Sequence, residues 1–314
     1  MSESDPLRAG LTRSAAIASI SVALFLVAIK LWASMETGST AMLGSLADSA
    51  LDLIASLATL VGVWIAAQPA DDNHRFGHGK AESLSAMFQV MLIALSAAAI
   101  GFRAIQHLIE GGRTSAAAEG IGVSAIAIVV TLGLLLWQRH VIRQTRSVAI
   151  SADHVHYQSD LLLNVAVIAA LALDQFGGIA FADPLFGFAI AAWLLWGAWR
   201  AASEAVDNLM DREWPEEKRQ RFVELAAKHP ELSNLHDLRT RTSGTRDFVQ
   251  FHVDLPRAMT VEQAHDIIER VENDLCSHFP DMELLIHIDP AGHVDEPGNR
   301  LVEEDEFAKL EKGQ

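Results

Sequence analysis

Two pairs of ionisable residues lie inside stretches that are otherwise almost wholly apolar. Asp48 and Asp52 fall in one stretch, and His156 and Asp160 fall in another. Each pair has i,i+4 spacing, so on a helix its two members share one face. Ionisable groups are costly in a bilayer and are usually functional where they occur. Because one imidazole and three carboxylates from two helices can close a tetrahedron around Zn²⁺, the spacing predicts an intramembrane metal site.

The alternative is that each of these residues extends to the interface or pairs with a nearby cation. Asp48 alone fits that alternative equally well. Two i,i+4 pairs on two crossings, with no Lys or Arg expected at a similar depth, favour the metal site. His154 lies off the face of His156 and Asp160, so it is predicted to be an interfacial polar residue, and Asp153 is placed at the helix entrance.

Metal binding at such a site is coupled to protons. A metal-binding imidazole must be neutral and a binding carboxylate ionised, so metal entry releases protons. Imidazole has a reference pKa of about 6.5, within the range of cellular pH gradients. The ligand types therefore predict exchange of metal against protons.

The loop after the second apolar stretch carries a further group of candidate ligands. Asp71, His74 and His78 have i, i+3 and i+7 spacing, and the glycines at 77 and 79 allow tight folding. Three such ligands could hold a metal and leave one position open. The alternative is that these polar groups cap helix ends and stay hydrated.

The last third of the chain offers another set of histidines. His287 and Asp289 are two apart on a predicted strand and so point to one face. His236 and His252 lie on the other two predicted strands, and His265 lies on a predicted helix. Gathered at a sheet edge, these residues would make a divalent site, binuclear if His265 takes part.

Composition narrows the classes of function. The chain has 314 residues, is 50% hydrophobic and carries a formal net charge of −16. Strong negative charge argues against nucleic-acid binding and suits the attraction of cations. The single cysteine, Cys276, excludes an internal disulfide framework and a thiolate-rich metal site.

Six apolar stretches are long enough to cross a bilayer, at about 20 residues for each crossing. They predict a helical membrane domain over 15–208 that follows a short N-terminal segment, 1–14. Nearly all Arg and Lys between the crossings lie on one side, which places both termini in the cytoplasm. The crossings are predicted at 15–35, 41–67, 84–109, 119–139, 157–174 and 184–205.

A soluble domain is predicted over 209–292. Its elements follow the order helix–strand–strand–helix–strand (αββαβ), which indicates a small α+β domain with one antiparallel sheet. The strands are predicted at His236–Thr242, Phe248–Leu255 and Met282–Asp289. Residues 293–314 are acidic and lack periodicity, and are predicted to be a disordered tail.

Together these features resemble the cation diffusion facilitators, and most closely the bacterial zinc and iron exporters of that family. The resemblance covers nearly the whole chain except the acidic tail. Its most specific parts are the Asp48/Asp52 pair, the segment His156-Tyr-Gln-Ser-Asp160, the loop Asp71-Asp-Asn-His-Arg-Phe-Gly-His78-Gly-Lys-Ala-Glu-Ser and the strand His236-Asp-Leu-Arg-Thr-Arg.

The resemblance implies a homodimeric, proton-driven exporter of divalent metal in the bacterial inner membrane. It also implies a ferredoxin-like, metallochaperone-like soluble domain that mediates dimerisation, and an ion pair between Lys80 and Asp211 where the two domains join. The implied ligand sets are Asp48, Asp52, His156 and Asp160 for transport, Asp71, His74 and His78 in the loop, and His236, His252, His265, His287 and Asp289 for a binuclear cytoplasmic site.

Export of Zn²⁺ against protons is the leading prediction, with Zn²⁺ also a structural or regulatory ion of the soluble domain. A membrane metal sensor is the alternative, although a sensor needs no ligands within the bilayer. An intramembrane metalloprotease would need a His-Glu-x-x-His helix, which the sequence lacks, so no enzymatic activity is expected. His156 favours Zn²⁺ or Cd²⁺, and the ligand chemistry also admits Fe²⁺.

Overall fold

The chain forms two compact units, one helical and one of mixed helices and strands. Residues 7–207 form the first unit, and residues 208–314 belong to the second. The division falls where the composition changes after the last apolar stretch. The structure is a computed structural model and describes residues 4–37, 40–110, 121–177, 182–279, 281–292 and 305–312.

Long helices make up the described part of the first unit. They are α1 (Ser4–Thr37), α2 (Thr40–Ala66), α3 (Ala81–Glu110), α4 (Ile121–Thr145), α5 (Val148–Gly177) and α6 (Ala182–Leu209). Segments of α1, α2, α3, α4 and α6 are long and apolar enough to cross a membrane. The fifth predicted crossing, 157–174, lies within α5, whose side chains beyond residue 165 lie outside the described ones.

Small side chains let these helices approach closely, as is common between membrane helices. Ala86 of α3, Ala152 of α5 and Ala201 of α6 are buried in one cluster. Gly62 of α2 lies so near α3 that a Cβ atom there would be 2.4 Å from Cβ of Ser85. Because α5 packs against α2, α3 and α4, the two predicted ligand pairs lie on neighbouring helices.

The second unit contains α7 (Glu216–Ala226), β1 (Ser233–Ser243), β2 (Arg246–Leu255), α8 (Val261–His278), β3 (Met282–Pro290) and α9 (Glu306–Lys312). The strands lie in the order β1-β2-β3, with β1 antiparallel and β3 parallel to β2. The prediction of one antiparallel sheet is therefore wrong. Helix α8 carries the chain back along the sheet, so β3 begins beside the start of β2 and runs with it.

Helix α8 and the aromatic core hold this sheet in place. Oγ1 of Thr260 accepts a hydrogen bond from the N–H of Gln263, whose Oε1 accepts one from the N–H of Thr260. This capping box defines the start of α8. Trp214 stacks on Phe279 with ring centroids 5.8 Å apart, and both pack against the buried Phe222.

Helix α9 lies in the stretch predicted to be a disordered tail, so that prediction is wrong for residues 305–312. The carboxylate of Glu306, a residue that is 5% exposed, accepts hydrogen bonds from Arg219 at 2.6 Å and from Lys309 at 2.9 Å. Phe307 and Leu310 pack against the core of the unit. A helix of this length is not stable alone in water, so its docking holds it. Residues 293–304 and 313–314 lie outside the described part of the chain.

We expect Glu306→Ala to destabilise the second unit, because it removes the buried charged hydrogen bond to Arg219. A hydrogen bond to a charged group contributes about 1.5–3 kcal/mol. The measurement is the thermal unfolding midpoint of the full-length protein in detergent. Glu217→Ala, at an exposed acid on α7, is the matched control. Equal midpoints for the two variants would contradict a stabilising role for α9.

Candidate metal centres

Three of the four ligands predicted for the intramembrane site converge. Asp52 of α2 and both His156 and Asp160 of α5 offer ligand atoms that lie within 4.8 Å of one another. Nε2 of His156 is 3.0 Å from Oδ1 of Asp52 and 3.8 Å from Oδ2 of Asp160. His156 is buried, and the two aspartates are partly exposed. One imidazole and two carboxylates at these distances can bind a divalent ion such as Zn²⁺.

A buried oxygen atom in this site supports a cation as its occupant. Oδ2 of Asp160 has no hydrogen-bond partner among the described residues. Leaving a buried polar atom unsatisfied costs about 1–3 kcal/mol, and more for a charged group. A metal ion bound by Asp160 would remove that cost, so the residues present fit a divalent metal.

The fourth predicted ligand, Asp48, lies one turn from the converging three. It is exposed on α2, and its carboxylate is not among the atoms that converge. Four residues advance an α-helix by about 400°, so Asp48 and Asp52 point about 40° apart. That difference allows Asp52 to face the site while Asp48 lies at its rim.

The Lys30 side chain of α1 contacts α2 beside the two aspartates, Asp48 and Asp52. Nζ of Lys30 donates hydrogen bonds to Oγ of Ser49 at 2.6 Å and to the carbonyl of Ser45 at 3.3 Å. Ser49 lies between the two aspartates in sequence, so the expectation of no cation at this depth is wrong. The contact joins residues on separate helices, and no pattern within α1 indicates it.

Two residues that precede His156 on α5 are also placed differently from expectation. Nδ1 of the half-buried His154 is 3.1 Å from Oε1 of Gln138 on α4, which makes it an interhelical contact. Asp153, expected at the helix entrance, is 0% exposed. Its hydrogen-bond partners come from three other helices, so the local sequence gives no signal of its burial.

The loop between α2 and α3 brings its three candidate ligands together. Oδ1 of Asp71 is 3.1 Å from Nδ1 of His74, and Oδ2 is 3.3 Å from Nε2 of His78. Hydrogen bonds from the backbone N–H groups of His74 and Asn73 lower the pKa of the Asp71 carboxyl. Nδ1 of His78 is buried and has no hydrogen-bond partner in the described ranges. The three side chains fit a divalent ion with an open position.

We expect this loop to lose metal as the pH falls, because protons compete with the metal for the imidazole nitrogens. Backbone hydrogen bonds lower the pKa of Asp71, so its carboxylate stays ionised to lower pH than usual. The measurement is the number of zinc ions bound to each chain. His74→Ala should bind one ion fewer than the parent at about pH 7.5 and the same number at about pH 5.5. If His74→Ala and the parent bound the same number of ions at both pH values, the loop site would be contradicted. His140→Ala is the control, because His140 is exposed on α4.

The sheet of the second unit gathers three imidazole side chains around one carboxylate. The strand register places His236 opposite His252, and His252 beside His287. Oδ2 of Asp289 is 2.9 Å from Nδ1 of His252 and 3.7 Å from Nε2 of His236. Its Oδ1 is 3.6 Å from Nε2 of His287. His236, His252 and Asp289 offer ligand atoms within 4.8 Å of one another and suit a divalent ion, and His287 lies at the other carboxylate oxygen.

Two further expectations are not tested by these contacts. His265 is exposed on α8, and the described contacts of the sheet cluster do not include it, so its part in a binuclear site stays a prediction. Lys80 and Asp211 belong to different units, and their ion pair stays a prediction as well. Within the second unit, Asp211 accepts a hydrogen bond from Nη1 of Arg241 at 3.4 Å.

Comparison with known families assigns both units. Residues 16–210 match the cation efflux transmembrane domain, and residues 214–291 match the cytoplasmic domain of cation efflux proteins. The first match alone covers more than half of the 314 residues.

Curated relatives match over nearly the full length. The cation-efflux pump FieF of Cronobacter sakazakii is 44% identical over 284 residues, which are 90% of this chain and 94% of the relative. FieF of Serratia proteamaculans is 42% identical over 292 residues, 93% of this chain and 97% of the relative. One similar solved structure is the metal-bound C-terminal domain of the CzcD transporter from Thermotoga maritima, which is 24% identical in sequence. The match has a TM-score of 0.25 and covers 26% of this chain and 99% of that chain. Because the family match and the curated relatives extend over both units, the chain belongs to the cation efflux family of metal transporters, the cation diffusion facilitators.

Proposed function

We propose that the protein exports Zn²⁺ from the bacterial cytoplasm in exchange for protons. The transport site consists of Asp48, Asp52, His156 and Asp160. The observation that carries the proposal is the convergence of three of these ligands from two helices, with a buried oxygen of Asp160 available to a cation. A membrane metal sensor has no need of ligands between apolar helices, and this favours transport.

The proposed topology has six crossings, with both termini and the second unit in the cytoplasm. Five helices with the length and hydropathy of membrane spans support it, and we assign the remaining crossing to α5. The predominance of Arg and Lys in the loops on one side supports the orientation. We place the protein in the bacterial inner membrane, in keeping with its similarity to bacterial FieF pumps.

Proton coupling follows from the ligand types at the transport site. An inward-facing site at cytoplasmic pH binds metal in its deprotonated form. An outward-facing site at lower pH binds protons, and the metal is released. The site is exposed to each side in turn by movement of helices around it, as is common in secondary transporters whose sites lie near the membrane midplane.

Metal choice depends on His156, which supplies the one nitrogen ligand of the proposed set. We expect His156→Asp to lower Zn²⁺ transport and to raise the ratio of Mn²⁺ transport to Zn²⁺ transport, because an all-oxygen site suits harder ions. The measurement is uptake of Zn²⁺, Cd²⁺, Fe²⁺ and Mn²⁺ into proteoliposomes. His140→Asp is the control, since His140 is exposed on α4. Unchanged selectivity in His156→Asp would contradict the ligand assignment, and no metal uptake by the parent would contradict transport.

The remaining clusters have supporting roles in this proposal. Metal at the loop of Asp71, His74 and His78 lies at the cytoplasmic ends of α2 and α3. The sheet cluster binds regulatory or structural Zn²⁺ in a domain through which two copies of the chain form a homodimer, and Lys80 pairs with Asp211. The proposed ligands of this binuclear cluster are His236, His252, His265, His287 and Asp289. Metal there changes transport only if it binds one conformation better than the other.

A further inference from the structure

Asp153 is a buried acid that the proposed exchange does not use. It lies on α5 three residues before His156 and is 0% exposed. A buried carboxylate is costly unless it is well hydrogen-bonded. The surroundings of Asp153 therefore have to supply several donors.

Three helices each supply one neutral donor to this carboxylate. Oγ of Ser19 on α1 donates to Oδ2 at 2.6 Å, and Nε2 of Gln138 on α4 donates to the same oxygen at 2.8 Å. Nε2 of Gln89 on α3 donates to Oδ1 at 2.9 Å. Ser19, Gln89 and Gln138 are all 0% exposed. One side chain of α5 thus ties three other helices together.

A second set of contacts joins this network to α2. The Tyr157 hydroxyl donates to the carbonyl of Ser19 at 3.1 Å and is 2.8 Å from Oγ of Ser56. Gln89 Nε2 is also 2.8 Å from Oγ1 of Thr59. Ser56 and Thr59 lie one and two turns beyond Asp52 along α2, towards the proposed cytoplasmic end of that helix. The network therefore lies on the cytoplasmic side of the metal site.

Along α5, the exposure of the side chains rises from Asp153 towards Asp160, away from the proposed cytoplasmic side. Asp153 is 0% exposed, whereas the side chains of His156 and Asp160 are 6% and 30% exposed. The network thus covers the site on one side only. Because its members are polar, water can replace their partners when the helices separate. Exchange of a protein hydrogen bond for bonds to water has a small net cost compared with the strength of the bond itself, so a closure of this kind is reversible.

We propose that Asp153 is a positioning residue for transport, which closes the cytoplasmic side of the metal site by holding α1, α3 and α4 against α5. The network breaks in the inward-facing state and forms again when the site faces outward. This inference rests on the proposed transport function and orientation. It assigns Asp153 no contact with the metal.

The test measures access to a buried position on the cytoplasmic side. Val63 of α2 is 2% exposed and packs with Ala149 and Ile150 of α5. Val63→Cys is made in the full-length protein together with Cys276→Ser. Inside-out membrane vesicles are then treated with a membrane-impermeant maleimide. Labelling does not depend on metal flux, so its outcome can be interpreted even if export fails.

We expect Asp153→Ala to increase the labelling rate at position 63 by about tenfold, a factor that corresponds to about 1.4 kcal/mol, because it removes the acceptor that α1, α3 and α4 share. Gln144→Ala, at an exposed amide on α4 bonded to His140, should leave the rate unchanged. Asp153→Asn combined with Gln138→Glu exchanges the ends of the amide–carboxylate pair and should restore slow labelling. An unchanged rate in Asp153→Ala would overturn the proposal. Equally fast labelling in the exchanged pair would overturn it as well, since it would indicate general loosening of the helices.

Discussion

Asp52→Ala is expected to abolish metal export. Oδ1 of Asp52 lies 3.0 Å from Nε2 of His156, and it is the only converging ligand that α2 contributes among the described residues. Removal of one partner from a buried charged site costs about 3–5 kcal/mol, which corresponds to a loss of metal affinity of at least about 100-fold. The measurement is Zn²⁺ uptake into proteoliposomes that contain a fluorescent indicator.

The control for Asp52→Ala is another carboxylate of the helical unit. Glu36 is exposed at the end of α1, and Glu36→Gln should transport Zn²⁺ at the parental rate. Both variants should insert and fold alike, so a difference between them reports on the site. Parental uptake by Asp52→Ala would contradict the assignment of the transport site to α2 and α5.

Asp289→Ala is expected to remove the zinc-dependent stabilisation of the second unit. Asp289 contacts His236, His252 and His287, so its loss removes the anionic ligand that they share. A ligand that binds only the folded state at 100 times its Kd stabilises it by about 2.7 kcal/mol. The measurement is the thermal unfolding midpoint of the full-length protein with and without Zn²⁺.

Glu283→Gln is the matched control for the sheet cluster, because Glu283 is an exposed acid on the same strand, β3. It should keep the parental zinc-dependent shift. If Asp289→Ala kept the shift too, the imidazoles would bind the ion without the carboxylate, and the proposed ligand set would be wrong.

Local periodicity predicts the helices and the strands well. The i,i+4 rule puts His156 and Asp160 on one face of α5, where the structure has them, and the i,i+2 rule puts His287 and Asp289 on one face of β3. Both rules operate within a single element, where the backbone geometry decides the direction of each side chain.

Local periodicity does not predict features that depend on contacts between separate helices and strands. The burial of Asp153 depends on Ser19, which lies 134 residues away in sequence. The direction of β3 depends on the crossover through α8, and the helix of residues 306–312 depends on a surface supplied by Arg219 and the core. Each is set by tertiary packing that the alternation of apolar and polar residues does not encode.

The orientation of α2 about its own axis is predicted only in part by the sequence. Spacing predicts that Asp48 and Asp52 share a face, but the neighbouring helices decide which of the two points directly at His156. The structure assigns that position to Asp52 and leaves Asp48 exposed. The proposed transport cycle moves these helices, and we expect Asp48 to join the ligand set in another arrangement of them.

Simultaneous recording of zinc and pH in proteoliposomes tests the central claim most directly. With an acidic lumen, the parental protein should carry Zn²⁺ into the lumen while protons leave, so that the zinc signal and luminal pH rise together. Both signals should be lost in His156→Ala. Zinc uptake without a change in luminal pH, or equal uptake by His156→Ala, would contradict metal–proton exchange at this site.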